Sequence, residues 1–192
     1  MLLAAACSGD DASPSPTATR PAGATSVPNA TPRPQATPPR EPTATEDPGT
    51  TAPFKANGDP NPPRGISLLQ AVRAATQPDG WDRIVFEFKD TRPAVEVEYV
   101  TKAQTCGKGD DVSLPGTAML SVKFRQTQAH TDAGASTLPS RDITGPGSSI
   151  LKASVICDFE GETGVAIGVK TKTPYKVTML QSPTRIVIDV KQ

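Results

Sequence analysis

The sequence predicts an all-β fold: an antiparallel β-sandwich of seven to nine short strands, preceded by a long disordered N-terminal tail. Two asymmetries and one periodicity predict it. Fourteen of the 21 prolines lie in residues 1–63, and seven of the eight aromatic residues lie after residue 80, Phe54 being the exception. From Arg64 onward apolar residues recur at every second position, the period of a strand with one wet face. The whole-chain apolar fraction is only 35%, below the ~45–50% of globular chains, because the tail dilutes it. What remains after residue 64 is roughly 125 residues, an ordinary size for one core. Lys+Arg number 20 and Asp+Glu 20, so net charge asks for no nucleic-acid partner. No stretch approaches the ~20 apolar residues of a membrane span.

Three segments follow, at 1–7, 8–64 and 65–192. The first reads Met1-Leu2-Leu3-Ala4-Ala5-Ala6-Cys7, then Ser8, Gly9 and two aspartates. Small residues leading into a cysteine and a polar run resemble the lipobox of bacterial lipoproteins. The resemblance implies a truncated signal at 1–7 and lipidation of Cys7. The charged n-region is missing and the apolar run is short, which puts the true start upstream of Met1 or marks a trimmed chain. Residues 8–64 are Pro/Thr/Ala/Ser-rich with almost nothing to bury, the composition of a disordered, partly polyproline II segment. As a coil such a tether spans about 45 Å. It reads as a spacer holding a domain away from a membrane. A glycosylated stalk or a Pro-rich docking ligand are the alternatives.

The strands come next, in order. Residues 66–77 fit two readings, since Ile66, Leu69 and Val72 have helical spacing while Leu68, Val72 and Ala74 suit a strand. Periodicity does not arbitrate so short a run. Ile84, Phe86 and Phe88 share one face, as do Val95, Val97 and Tyr99, and Leu120, Val122 and Phe124. Leu151, Val155, Cys157 and Phe159 read as inward, with Lys152, Ser154 and Asp158 outward. Val165, Ile167 and Val169, then Tyr175, Val177 and Met179, then Ile186, Ile188 and Val190 complete the set. Turns such as Pro78-Asp79-Gly80 and Gly161-Glu162-Thr163-Gly164 separate them. The 24-residue polar stretch Gln126–Ser149 is long enough to be functional or mobile.

These residues carry a second resemblance. Gly80-Trp81-Asp82-Arg83-Ile84-Val85-Phe86-Glu87-Phe88 and Val95-Glu96-Val97-Glu98-Tyr99-Val100 resemble the opening strands of the AMIN-like domain of bacterial cell-envelope lipoproteins. Asp158-Phe159-Glu160-Gly161 and Pro183-Thr184-Arg185-Ile186-Val187-Ile188-Asp189-Val190 are similar to its second half. The resemblance implies a β-sandwich and favours strand for residues 68–75. It also implies an extracytoplasmic module, anchored to the bacterial membrane by its lipid, that localises to the envelope by binding peptidoglycan or an envelope protein.

With Cys7 acylated, Cys106 and Cys157 remain, an even pair in an oxidising compartment, which suggests one disulfide. Closing about fifty residues contributes up to ~4 kcal/mol in the chain-entropy model. Against it, alternation points Cys157 inward, where a buried free thiol is common.

Catalysis finds little support. His130 is the single histidine, so metal sites built on histidines are excluded, no metal or cofactor is expected, and nothing near His130 in sequence orients it. Glu96 and Glu98, and Asp158 with Glu160, are spaced like carboxylates on one wet face. Asp82 and Arg83 read as a pair closing a hairpin. Arg83 recognising a ligand carboxylate, and Trp81 exposed at a turn and stacking on a sugar, are the sharper readings. The expected protein is therefore a non-catalytic, lipid-anchored binding module. The alternatives are an accessory or weak cell-wall hydrolase centred on His130, and a purely structural envelope protein.

Overall fold

A computed structural model describes residues 47–60 and 65–192. Cys7, its lipobox and the tail up to residue 46 lie outside the described residues. The strands are β1 (Phe54–Ala56), β2 (Ser67–Gln77), β3 (Trp81–Lys89), β4 (Ala94–Val100), β5 (Ala103–Gln104), β6 (Asp111–Val112) and β7 (Ala118–Arg125). They continue with β8 (Thr127–Gln128), β9 (Asp142–Thr144), β10 (Ile150–Phe159), β11 (Glu162–Val169), β12 (Tyr175–Leu180) and β13 (Thr184–Lys191). Eight of these have six residues or more, within the expected number. The other five are two- or three-residue pieces too short to leave a periodic trace.

Two sheets form the sandwich, in the orders β1-β4-β7-β11-β10-β9 and β12-β13-β3-β2-β8; β5 and β6 make a separate hairpin. All long neighbours pair antiparallel, and the short β2–β8 pairing is parallel. Between the sheets Phe86 and Phe88 meet Phe124 edge-on at 5.0 and 5.1 Å, in a core shared by Ile84, Val97, Val122, Ile167 and Ile188. Burying each such side chain contributes roughly 1.5–3 kcal/mol.

Residues 67–77 are strand, Ile66 lies before it and is 43% exposed, and the remaining helical step from Leu69 to Val72 has a cause. Leu69 pairs with Phe88 and Ala71 with Glu87, which leaves Gln70 as the extra residue of a β-bulge. The bulge puts two residues opposite one, so the inward positions run Leu69, Val72, Ala74 and mimic a helical step of three.

The same device overturns the reading of β10. Register shifts fall between Ile150 and Lys152 and between Val155 and Cys157. Each inserts a residue and flips every side chain beyond it. Ile150, Ala153 and Val155 face the core rather than Leu151. Beyond the second bulge Cys157 faces outward, opposite Gly164, where an added Cβ would lie 3.0 Å from that of Cys157. Asp158 turns inward with its side chain 2% exposed, and Phe159, expected in the core, is 58% exposed.

Both open sides of the sandwich are crossed by chain. On one side Thr50 bridges Tyr175 in β12, and the chain then enters β1 against β4 of the other sheet. Tyr175, fully buried, directs its hydroxyl at the Ala52 and Val97 carbonyls, 2.6 and 2.9 Å away. Burial pushes this phenol up to about 12. Asp59 closes the segment, receiving the Arg92 amide at 2.8 Å. Residues 50–59, expected in the disordered tether, thus belong to the sandwich. Backbone pairing and one aromatic, Phe54, hold them, where composition alone registered proline and threonine.

On the other side the Gln126–Ser149 stretch runs from β8, at the edge of one sheet, to β9, at the edge of the other. Ala129 and Leu138 enter the core, and the Thr137 hydroxyl donates to the Leu69 carbonyl. This stretch is a side wall of the sandwich.

Candidate functional site

The candidates at the start of β3 are occupied by the fold itself. Trp81 is 6% exposed, not open at a turn. The Lys176 ammonium lies 3.8 Å from its ring centroid, and a Cβ at Gly49 would fall 3.1 Å from the ring edge. Its indole is covered by chain that approaches from residue 49, so no sugar stacks there. Arg83 donates to both oxygens of Asp189 on β13, at 2.6 and 2.9 Å. Hydrogen bonding to that carboxylate pushes the guanidinium above its usual value. Asp82 is not its partner, because adjacent strand residues point to opposite faces. Asp82 is fully buried and accepts the Ser149 and Ile150 amides at 2.6 and 2.9 Å, with Gln192 Nε2 at 3.0 Å. That carboxylate joins β3 of one sheet to the start of β10 in the other.

Of the four carboxylates read as wet-face pairs, Glu96 and Asp158 have charged or hydrogen-bonding partners, and Glu98 and Glu160 have none among the described contacts. Glu96 pairs with Lys55 and Arg125, and the hydrogen bond from Lys55 holds its carboxyl below the usual range. Asp158 and Glu160 do not share a face: Asp158 is inward, and Glu160 sits in the β10–β11 turn with φ +49°. Asp158 instead accepts from the Ala129 amide at 2.8 Å, from His130 Nδ1 at 2.9 Å and from Arg141 at 3.3 Å. His130 therefore has an orienting group, against the sequence expectation. Asp158 lies 28 residues away and reaches it only because the β10 bulge turns that side chain in. No hydroxyl or thiol joins His130 and Asp158 among the described hydrogen bonds, and no cluster of three metal-ligating side chains occurs among the described residues.

Cys106 and Cys157 are bridged, with Cα atoms 5.0 Å apart and a sequence separation of 51. The bridge ties down the tip of the β5–β6 hairpin, which leaves β4 after Val100 and returns into β7. This flap, residues 101–117, lies on the outer face of β11. A Cβ at Gly168 would come within 2.9 Å of Leu114, and one at Gly116, where φ is +111°, would meet the Val169 backbone. Every residue from Thr163 to Val169 is buried, although only every second one faces the core. One sequence signal for this cover exists: Gly164, Ala166 and Gly168 alternate with Val165, Ile167 and Val169. A small-residue stripe on a face that should be wet leaves room for another segment to pack there.

Between the flap base and the ends of β4 and β7 runs a groove of about 440 Å³, walled by Tyr99, Leu114, Ala118, Met119 and Lys172. A second hollow of about 250 Å³ adjoins it under the flap, sharing Thr101, Leu114 and Met119. Tyr99 donates its hydroxyl to the Thr173 carbonyl at 2.7 Å and packs edge-on against Tyr175 at 5.9 Å. Burial raises its pKa, so the phenol stays neutral and fixed. The Lys172 ammonium lies 5.4 Å from the Tyr99 ring centroid. None of these groove residues was singled out as a site from the sequence, because the wall is assembled from three separate stretches of chain.

The AMIN-like domain model matches residues 67–192, more than half of the chain. No curated protein and no solved structure matches it.

Proposed function

The chain belongs to the AMIN-like domain family, and on that premise we propose that it is a non-catalytic, lipid-anchored module that binds peptidoglycan. AMIN-like domains are extracytoplasmic modules of the cell envelope, generally binding rather than catalytic. The observation that carries the reading is the groove beside Tyr99 and Lys172. Its size falls in the ~300–1,000 Å³ range of ligand sites, and a disulfide and a tyrosine hydrogen bond hold its walls in place. A pre-formed site loses little conformational entropy on binding. Trp81 and Arg83 drop out as ligand groups, since the fold already engages them.

In this reading Cys7 carries the lipid and the residues after it act as the tether, which lets the sandwich reach wall material from the membrane. Pelleting the chain with purified sacculi tests the binding. Sedimentation is expected, and it should weaken when Leu114 and Met119 are both replaced by charged residues. A chain that stays in the supernatant at every salt concentration rules wall binding out. Mass spectrometry of the N-terminal peptide tests the anchor: Cys7 should carry a diacylglyceryl group.

A hydrolase reading keeps one specific support, the His130–Asp158 hydrogen bond of 2.9 Å. A histidine held by a buried carboxylate is half of a nucleophile-activating arrangement. The binding reading expects His130→Ala to leave wall binding unchanged and to remove no hydrolytic product, because none forms.

A further inference from the structure

We propose that the groove takes the peptide part of the wall and not its glycan: a short peptide with small aliphatic side chains and a free terminal carboxylate. This inference rests on the wall-binding reading above and names the ligand class for the same groove.

Charge is the first argument. Lys172 is the one ionisable cation on the groove wall, and no acidic side chain lines it. Eight of the Lys and Arg side chains among the described residues stand within 4.0 Å of a carboxylate, and Lys172 is not one of them. Its contact is instead the face of Tyr99, which positions an ammonium while leaving its N–H groups free for an anion. A carboxylate meeting that ammonium gains a charge-assisted hydrogen bond, the stronger kind.

The walls are the second. Val100, Leu114, Ala118 and Met119 offer aliphatic surface sized for methyl and short-branched side chains. A glycan chain would want an open aromatic face. Tyr99 has its face under Lys172 and its edge against Tyr175, and Trp81 lies beneath Lys176. The third is position: the groove lies where β4 ends and β7 begins, at an end of the strands, so one end of an extended peptide can enter while its remainder stays outside.

The test uses the full chain and three probes by titration calorimetry: an N-acetylated pentapeptide ending in two alanines as the free acid, the same peptide as its C-terminal amide, and an N-acetylglucosamine oligomer. The free acid should bind, the amide should bind about tenfold more weakly, a difference of one charge-assisted contact, and the oligomer should not bind. Lys172→Gln should bring the free acid down to the amide's affinity without shifting the unfolding midpoint. Equal binding of acid and amide, binding of the oligomer, or an unchanged Lys172→Gln variant would each overturn the proposal. Sacculus pelleting separates the two readings. A chain that pellets with sacculi but ignores the free-acid peptide keeps wall binding and loses the peptide assignment. One that binds the peptide but not sacculi keeps the peptide site and loses the wall.

Discussion

Strands β3 and β10 lie in opposite sheets, have nine and ten residues, and both supply the core, yet they behave differently as sequences. β3 keeps one parity from end to end: Ile84, Phe86 and Phe88 go in while Arg83, Val85 and Glu87 go out, and its register with β13 has no shift. β10 changes parity twice. The regular strand places its polar groups where alternation says, including Asp82, which faces inward and is matched by two amides. The bulged strand places Cys157 outward and Asp158 inward, each opposite to its expected side, and those two positions carry the flap staple and the His130 partner. A single inserted residue thus relocates chemistry that no substitution has touched.

The sharpest way to break this comparison is to remove a bulge. Inserting one alanine between Gly164 and Val165 gives Ile156 a partner on β11, removes the second bulge, turns Cys157 toward the core and takes it from Cys106. Destabilisation beyond about 4 kcal/mol is expected, the range reserved for a disrupted core, together with two free thiols in the denatured, unreduced chain. A variant that keeps both its disulfide and its unfolding midpoint would show the bulge to be incidental.

Replacing Cys106 and Cys157 together by alanine leaves the bulge and removes only the staple. Stability should fall by about 2–4 kcal/mol, read from denaturant unfolding, while the far-ultraviolet spectrum of the sheets stays unchanged. Affinity for the ligand should fall with it, since one groove wall loses its anchor. Unchanged affinity would mean that packing on Gly164, Ala166 and Gly168 holds the flap by itself.

The regular side offers a pH test. Tyr175 is buried as a neutral phenol whose pKa rises from 10.0 to about 12. A group held protonated in this way contributes its full stability below pH 10, the unfolded value, and loses it as pH climbs through 12. Unfolding free energy should decline by on the order of 2 kcal/mol across that window, and Tyr175→Phe should flatten the decline. An equally steep decline in Tyr175→Phe would assign the effect to other groups. The smallest effect belongs to His130→Ala: with Ala129 and Arg141 still on Asp158, the change in stability should stay within about 1 kcal/mol. A larger loss would make the histidine a structural member of the bulged end.

Most of the sandwich was legible because strict alternation survives in β3, β4, β7, β11, β12 and β13, whose inward residues all reach the core or pack on it. The disulfide was suggested by the two cysteines left once Cys7 is set aside, although the side of the strand was not. The groove was illegible, since Tyr99, Leu114 and Lys172 meet only after β4, the flap and the β11–β12 connection have each been placed. The segment around Phe54 was read as tail because its pairing uses backbone groups that every residue owns. One aromatic among prolines was its only mark.

By itself, then, the sequence determined the fold class and the strands of unbroken parity. These depend on patterns within a few residues, and the hydrophobic effect acts on each such pattern locally. The tertiary structure alone decided where β2 and β10 bulge, which side Cys157 and Asp158 take, what covers Trp81, and where a groove opens. A bulge is stable only if the partner strand and the facing sheet accept the shifted side chains. At β10 that acceptance comes from Asp82 on the Ser149 and Ile150 amides, from Gly164 opposite Cys157, and from Ala129 and His130 around Asp158, all contacts between residues distant in the chain.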